Sequence, residues 1–401
     1  MFEAAAPAWT ITPALTAGFQ RGLCSSAPSA WRLEPSGCAP PGQDRGNRED
    51  AAAARRRHRE VMRVLITGGT GFVGSHTAAA VARAGHTVRL LVRRPERVGA
   101  ALAPFGMPPV DIVTGDLLDP ESAQAAVADC DAIINAAGIY SLDPRKAASV
   151  LATNARATEI VLEAAVQAGL DPIIHVSSYV ALLPSRSTLT TDSPVGAGGP
   201  AYPRSKAQSE LVARRHQEAG VPVVTTYPGA AAGPHDPYFG DTAFTLAMIL
   251  RNRAPFAVRG MWAVADVGYI ARAHAAMLEQ GRGPRRYLLT GHDITWNDLY
   301  SSLRHLTGRG LPAVPTPGFL ARTSGHGMDV LQRTARTRLP IGYQGPWIIT
   351  RYAGADDTLT RHELRIEPPP LQQTLADTIR WMVEARYLPA RLARDLLGKQ
   401  L

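Results

Sequence analysis

Tyr202 and Lys206 stand four positions apart in the segment YPRSK, 24 residues beyond Ser178 and downstream of a glycine-rich turn, TGGTGFVG, at Thr67 to Gly74. A tyrosine ordinarily titrates near 10, too high for proton transfer at neutral pH. A neighbouring ammonium, and the positive ring of an oxidised nicotinamide, would favour the phenolate and lower that value. Residues four apart on a helix share one face. Ser178 ends the apolar segment HVSS, where its hydroxyl can hold a substrate oxygen. Together these types offer hydride transfer to or from a carbonyl, with Tyr202 as the proton donor. A lone YxxxK is as readily one turn of a surface helix. The ordered set of glycine turn, strand-end serine and YxxxK is much more specific.

The turn follows the apolar run Val64-Leu65-Ile66 and precedes a helix-like stretch, the context of a dinucleotide site. Gly68 would permit the tight bend, Gly71 the approach of a pyrophosphate to the backbone, and Gly74 close packing of helix on strand. Thr70, Phe72 and Val73 complete the turn, whose free N–H groups face phosphate at the positive helix end. About 20 residues on, a carboxylate would select the ribose 2′-hydroxyl. That position reads Leu91-Val92-Arg93-Arg94 instead, and Arg93 with Arg94 offers planar forks for a 2′-phosphate. NADP(H) is therefore favoured, with NAD(H) as the alternative; the competing reading makes both arginines plain surface charges. Asp116, in TGDLLD, is placed to meet the adenine, with Leu117 beside it. Ala136, Ala137 and Gly138 would leave room for the cofactor.

These residues require elements to position them. Strands are expected at Arg63–Thr67, Thr87–Val92, Asp111–Thr114, Ala132–Asn135, Ile173–Val176 and Val221–Thr226. Helices are expected at Gly74–Ala84, Glu121–Val127, Asn154–Ala168 and Lys206–Glu218. The alternation predicts an α/β fold, a doubly wound parallel (Rossmann) sheet, over residues 62–230. A helix at Asp266–Leu278 and a strand at Tyr287–Thr290 complete it, within about 264–290. Residues 231–263 and 291–401 form a smaller, C-terminal substrate-binding lobe. There Thr295 to Asp298 resembles a capping box opening a helix to Leu306, and Leu371–Glu384 is a further helix.

The chain has 401 residues, 45% of them hydrophobic, enough for a large core. Residues 1–61, rich in Ala, Pro, Gly, Ser and Arg, read as a disordered extension, and Met62 before the first strand is an alternative start. No run of roughly 18 apolar residues exists, so no stable membrane insertion is expected. The net charge is +9, but only Arg55–Arg59 is densely basic, and no nucleic-acid motif accompanies it. The three cysteines, Cys24, Cys38 and Cys130, form no framework, which fits a reducing, cytoplasmic compartment. The eleven histidines lack ligand spacing, so no metal site is expected. His175 reads as a near-core strand residue and His235 as a loop residue able to face substrate. Tyr140, Tyr179, Tyr238 and Phe239 are candidates for an apolar pocket, with plain packing as the competing reading. Tyr387 to Leu401 looks amphipathic, for packing on the lobe or a homodimer contact.

TGGTGFVG, GDLLD, NAAG, HVSS, YPRSK and YPGAAAGPHDP occur in the order of an extended short-chain dehydrogenase/reductase, and the chain resembles that family over nearly all of 62–385. The resemblance implies Tyr202 as general acid/base, Lys206 as its electrostatic partner and ribose ligand, and Ser178 as carbonyl orienter. It implies a proton-relay role for Asn154, in LATNARAT, and places Pro228 and Gly229 near the nicotinamide. Within the family, Ala230 stands where sugar-nucleotide enzymes usually carry asparagine, and Val92 where they commonly carry an acid. Both departures favour the branch that resembles dihydroflavonol reductases and 3β-hydroxysteroid dehydrogenases, and the VRR ending of the second strand is similar to the dihydroflavonol reductase pattern. The expected function is NADP(H)-dependent reduction of a small hydrophobic carbonyl, or oxidation of the alcohol. A nucleotide-sugar epimerase or dehydratase is the second reading, and a non-catalytic NADP(H)-binding sensor the third.

Overall fold

Six short strands that follow one another with helices between them have one stable solution, a parallel sheet covered on both faces. The computed structural model describes residues 61–334 and 342–398. The expected extension, apart from Val61, lies outside them, with Cys24, Cys38, Arg55–Arg59 and Lys399. In chain order the sheet side comprises β1 (Arg63–Thr67), α1 (Phe72–Arg83), β2 (Thr87–Val92), α2 (Glu96–Leu102), β3 (Asp111–Thr114), α3 (Pro120–Val127), β4 (Ala132–Asn135), α4 (Ala147–Gln167), β5 (Ile173–Val176), α5 (Ala201–Glu218) and β6 (Val223–Pro228). There follow β7 (Ala230–Ala232), α6 (Asp241–Leu250), β8 (Phe256–Val258), β9 (Met261–Asp266), α7 (Val267–Ala276), β10 (Arg285–Leu289), β11 (His292–Thr295) and α8 (Trp296–Thr307). The last described elements are β12 (Val314–Thr316), α9 (Gly318–Thr334), α10 (Gln344–Ile349), α11 (Thr358–Leu364), α12 (Leu371–Glu384) and α13 (Arg394–Gly398).

The main sheet runs β10-β6-β5-β4-β1-β2-β3, with every neighbouring pair parallel. The strand order reverses between β1 and β4, so the crevice at their carboxyl ends is the expected ligand position of a doubly wound sheet. Alternate residues of each strand feed two cores. Val64, Ile66, Leu90 and Ile134 face Ala78 and Val81 of α1 and Ile270 and Ala273 of α7. Leu65, Leu91, Ile133 and Ile173 face Ala126 of α3, Val161 and Ala165 of α4 and Val212 of α5.

The helix boundaries differ from expectation in an instructive way. α4 begins at Ala147 rather than Asn154, because nothing between Lys146 and Asn154 breaks a helix. Asn154 is therefore held mid-helix. α5 begins at Ala201, with Pro203 inside its first turn, where a missing N–H is harmless. Beyond β6, short strands escape the periodicity test. β7, β9 and β11 form a small sheet, and β8 pairs with β12. They share a third core with Leu246 and Ile249 of α6, Leu299 and Leu303 of α8, and Leu375 and Ile379 of α12. α8 opens with the anticipated capping box: Asp298 N donates to Thr295 Oγ1 at 3.2 Å and Thr295 N to Asp298 Oδ2 at 2.9 Å.

Two histidines are sealed inside the main domain core, one on a strand and one on a covering helix. His274 of α7 meets Thr77 Oγ1 of α1 at 3.0 Å and Thr226 Oγ1 of β6 at 3.3 Å. Among the described residues, His175 of β5 has no hydrogen-bond partner on either ring nitrogen. Burial pushes both down to about 3, helped at His175 by the charge of Lys206. Their folded values lie below the unfolded one, so the unfolded chain takes up the extra protons as pH falls below about 6.5. Stability should accordingly drop between neutrality and acid, by about 2 kcal/mol per histidine at pH 5. Urea midpoints at pH 7 and pH 5 check this, with His274→Gln flattening part of the slope. Equal midpoints would mean that both rings charge without unfolding.

Candidate active site

The glycine turn is shaped by three contacts. Gly68 has φ +72°, and a Cβ there would stand 2.8 Å from the Cα of Ala137. A Cβ at Gly74 would stand 2.1 Å from Gly68 O, so α1 packs directly on the turn. At Gly71 the nearest atom is Gly68 O at 3.2 Å, and no side chain caps the helix that starts there. Gly68 and Gly74 are thus consumed by protein contacts, while Gly71 leaves backbone open beside uncapped N–H groups. That arrangement fits a pyrophosphate. Thr67 ties the turn to β4: its Oγ1 donates to Asn135 Oδ1 at 2.6 Å and accepts from Ala137 N at 3.2 Å. Neither Thr67 nor Asn135 was singled out from the sequence, although both end buried strands.

Around the turn, Phe72 sets its ring edge-on to His76, and Val73 packs on the core. Thr70 is half-buried. Arg93 and Arg94 follow β2, exposed, and form no ion pair among the described residues. Asp116, after β3, accepts a hydrogen bond from Leu118 N at 3.0 Å, and Leu117 packs against the core beneath α3. His235 lies by His76 and Phe105 rather than beside Tyr202.

Tyr202 lies in the first turn of α5, nearly buried, and its backbone N–H donates to Gln344 Oε1 of α10 at 2.9 Å. Ser178, just beyond β5, lies close enough to the phenol to favour its phenolate, and its Oγ accepts from Val180 N at 3.5 Å. Lys206, one turn further along α5, donates from Nζ to Val176 O at 3.2 Å. A Cβ at Gly138 would lie 3.8 Å from Lys206 Nζ and 3.7 Å from Asn154 Oδ1, so the segment after β4 passes alongside the lysine. Asn154 Oδ1 accepts from Ile139 N at 2.7 Å, and its Nδ2 donates to Ile139 O at 3.0 Å and to Ser205 Oγ at 3.1 Å. Ser205 in turn donates to Tyr202 O at 2.8 Å. This serine, inside YPRSK, and Gln344 were not anticipated; the first sat within a recognised motif, while nothing local marks the second.

The electrostatics depart from expectation at Tyr202. Burial raises its phenol well above the ordinary tyrosine value, and the nearby Ser178 hydroxyl offsets only part of that. Burial lowers Lys206 to about 8, against a raising influence from Glu210. The neutral phenol is thus the resting form, ready to give a proton rather than accept one. Aromatic and aliphatic groups surround it. Tyr140 meets its ring edge-on at 4.9 Å, and Tyr179, Trp347, Ile348 and Tyr352 belong to the same cluster. Tyr238 is exposed, and Phe239 stacks on Tyr387 elsewhere.

The family model of the NAD dependent epimerase/dehydratase family matches residues 64–289, the glycine turn and YPRSK included. The chain belongs to that family. It is an extended short-chain dehydrogenase/reductase, an NAD(P)-dependent oxidoreductase by type. Its relatives include sterol demethylase protein B of Methylococcus capsulatus, 26% identical, with 80% of this chain and 99% of that one covered. A 4-hydroxy-2-methyl-3-oxo-4-farnesyl-3,4-dihydroquinoline-1-oxide ketoreductase of Stigmatella aurantiaca is 27% identical over 76% of this chain and 91% of its own. Among solved structures, a nucleoside-diphosphate-sugar epimerase from Pseudomonas aeruginosa superposes with a TM-score of 0.64 at 26% identity, covering 82% of this chain and 99% of that one. Among the described residues of this family member, no helix is long and apolar enough to cross a membrane.

Gly74→Ala puts a methyl group into Gly68 O and must shift α1 off the turn. The expected loss is about 1–3 kcal/mol of stability together with binding of the NAD(P)H cofactor. Thermal unfolding and fluorescence titration with NADPH and NADH check both; wild-type values would rule out the packing role of Gly74.

Proposed function

We propose that this extended short-chain dehydrogenase/reductase uses NADP(H) to reduce a small hydrophobic carbonyl, or to oxidise the corresponding alcohol. The observation that supports the reading is that Tyr202, buried in an apolar aromatic cluster, has Ser178 close to its phenol and Lys206 one helical turn further along α5. The cofactor-binding set comprises Gly68, Thr70, Gly71, Phe72, Val73 and Gly74 at the phosphates, Arg93 and Arg94 at the 2′-phosphate, and Asp116 with Leu117 toward the adenine. Ala136 to Gly138, Lys206, Pro228 and Gly229 border the ribose and ring. Bound NADPH would supply the hydride. Ser178 holds the carbonyl oxygen, Tyr202 gives it a proton, and Lys206 steadies the phenolate left behind. Asn154 fixes the strand-end backbone at Ile139 against α5 and stands where a relay could return the proton. Substrate then lies between this edge and the lobe of 231–263 and 291–401. Names of relatives acting on sterol and farnesylated ring systems agree with an apolar pocket.

The sugar-nucleotide reading has its own support in the Pseudomonas aeruginosa epimerase fold match. Two results separate them. Reduction predicts stoichiometric loss of NADPH with hydrophobic ketones or aldehydes. Epimerisation predicts turnover of a nucleotide sugar without net cofactor change. In the first case Tyr202→Phe should lower kcat by about 100-fold or more. Arg93→Ala should erase a preference for NADPH over NADH in a binding titration, and an intact preference would contradict the 2′-phosphate assignment. Because Lys206 loses its proton near 8, reductive turnover should decline above about pH 8 and hold at neutrality. A rate rising through pH 9 would rule out the ammonium as the working form.

A further inference from the structure

Tyr202 and Lys206 are the first two members of a longer row. Glu210 and Arg214 continue it at the same four-residue step along α5, on the same face. Glu210 is completely buried. Its Oε1 accepts from Tyr227 Oη of β6 at 2.6 Å and from Arg214 Nε at 3.0 Å. Arg214 is fixed in turn by Ser193 O at 2.8 Å and by Tyr227 Oη at 3.2 Å. Tyr227 is itself buried without exposure. A carboxylate at such depth is expensive unless its charge is used or matched. Arg214, at the rim, matches it from one side. Lys206 stands one turn back on the same face, its Nζ on Val176 O and without a direct ion pair to Glu210 among the described residues, and burial alone would push its ammonium toward the neutral amine.

Resting on the assignment of Lys206 as the partner of Tyr202, we propose that Glu210 is a positioning residue: its carboxylate, pinned by Tyr227 and Arg214, keeps Lys206 in the ammonium form. Glu210 touches neither substrate nor cofactor and acts only through Lys206. The other groups facing the lysine cannot do this. His175 of β5 stays neutral, held down to about 3 by burial and by Lys206 itself. Tyr202 is a neutral phenol at rest, and Asn154 of α4 carries no charge. Glu210 is raised by burial above the ordinary carboxylate value, with Tyr227 and Arg214 drawing it back.

The chain contains just three lysines, Lys146, Lys206 and Lys399, so a nitrogen-15 lysine label gives a readable spectrum of the full chain. Lys206→Arg identifies the signal that vanishes. The wild-type protein should show Lys206 as an ammonium at pH 7. In Glu210→Gln, which keeps the acceptor for Tyr227 and Arg214, its titration midpoint should fall by about one unit or more. Glu210→Asp should restore most of that shift, which a purely structural clamp would not require. An unchanged midpoint in Glu210→Gln overturns the proposal. If that variant does not fold, a neutral Lys206 in the wild type at pH 7 overturns it equally. Turnover of NADPH with hydrophobic ketones by Lys206→Ala tests the triad separately: full activity there removes the role of Lys206, whatever the titration shows.

Discussion

Two backbone segments leave adjacent strands and must pass within contact of each other at the carboxyl ends of β1 and β4. Glycine at position 68 is what permits this. Any side chain there would run into the backbone at Ala137, and any at Gly74 would push α1 away from the turn. The Thr67–Asn135 hydrogen bond and the donation from Ala137 N to Thr67 Oγ1 lock the two segments once they have met. Everything functional hangs from that junction. It sets the open end of α1 beside the crevice, and it carries Gly138 past Lys206 and Asn154.

On the far side of the crevice the constraint is different. α5 must present Tyr202 in its first turn while keeping its own backbone satisfied. It does so with help from three directions: Gln344 receives the Tyr202 amide, Ser205 bonds back to Tyr202 O, and Asn154 ties Ser205 to the strand-end backbone at Ile139. Asn154 thus has a structural duty that is independent of any proton relay. Apolar packing around the phenol raises its affinity for a proton, which keeps it protonated at rest but makes it the weaker acid, so a positive charge nearby is needed to favour the phenolate as the proton leaves. The lysine beside it is pulled the opposite way by the same burial, which is why a buried counter-charge one turn further along α5 matters.

The main sheet was legible because each strand is a short apolar run bounded by glycine or a polar turn, and because the helices between carry clear apolar faces. The turn at Gly68 to Gly74 and the YPRSK segment were legible for the same reason: their meaning lies in local spacing. What escaped detection lacks a local signature. Gln344 reaches Tyr202 from 142 positions away, and no pattern around it announces the contact. β7, β8 and β12 are three residues long, too short to show alternation. α6, DTAFTLAMIL, is apolar over most of its length and so hides its period. At Tyr202 spacing reveals the lysine but not the depth of burial, which raises the phenol in the chain alone.

The central claim is a net transfer of hydride to a hydrophobic carbonyl carbon, with cofactor consumed. Its most direct test is incubation with NADPH deuterated at C4 and a panel of hydrophobic ketones and aldehydes, followed by mass spectrometry of the alcohol formed. The account predicts one deuterium on the carbinol carbon for each NADPH oxidised. No labelled alcohol and no NADPH oxidation with any carbonyl, together with turnover of a nucleotide sugar on the oxidised cofactor without net reduction, would contradict it.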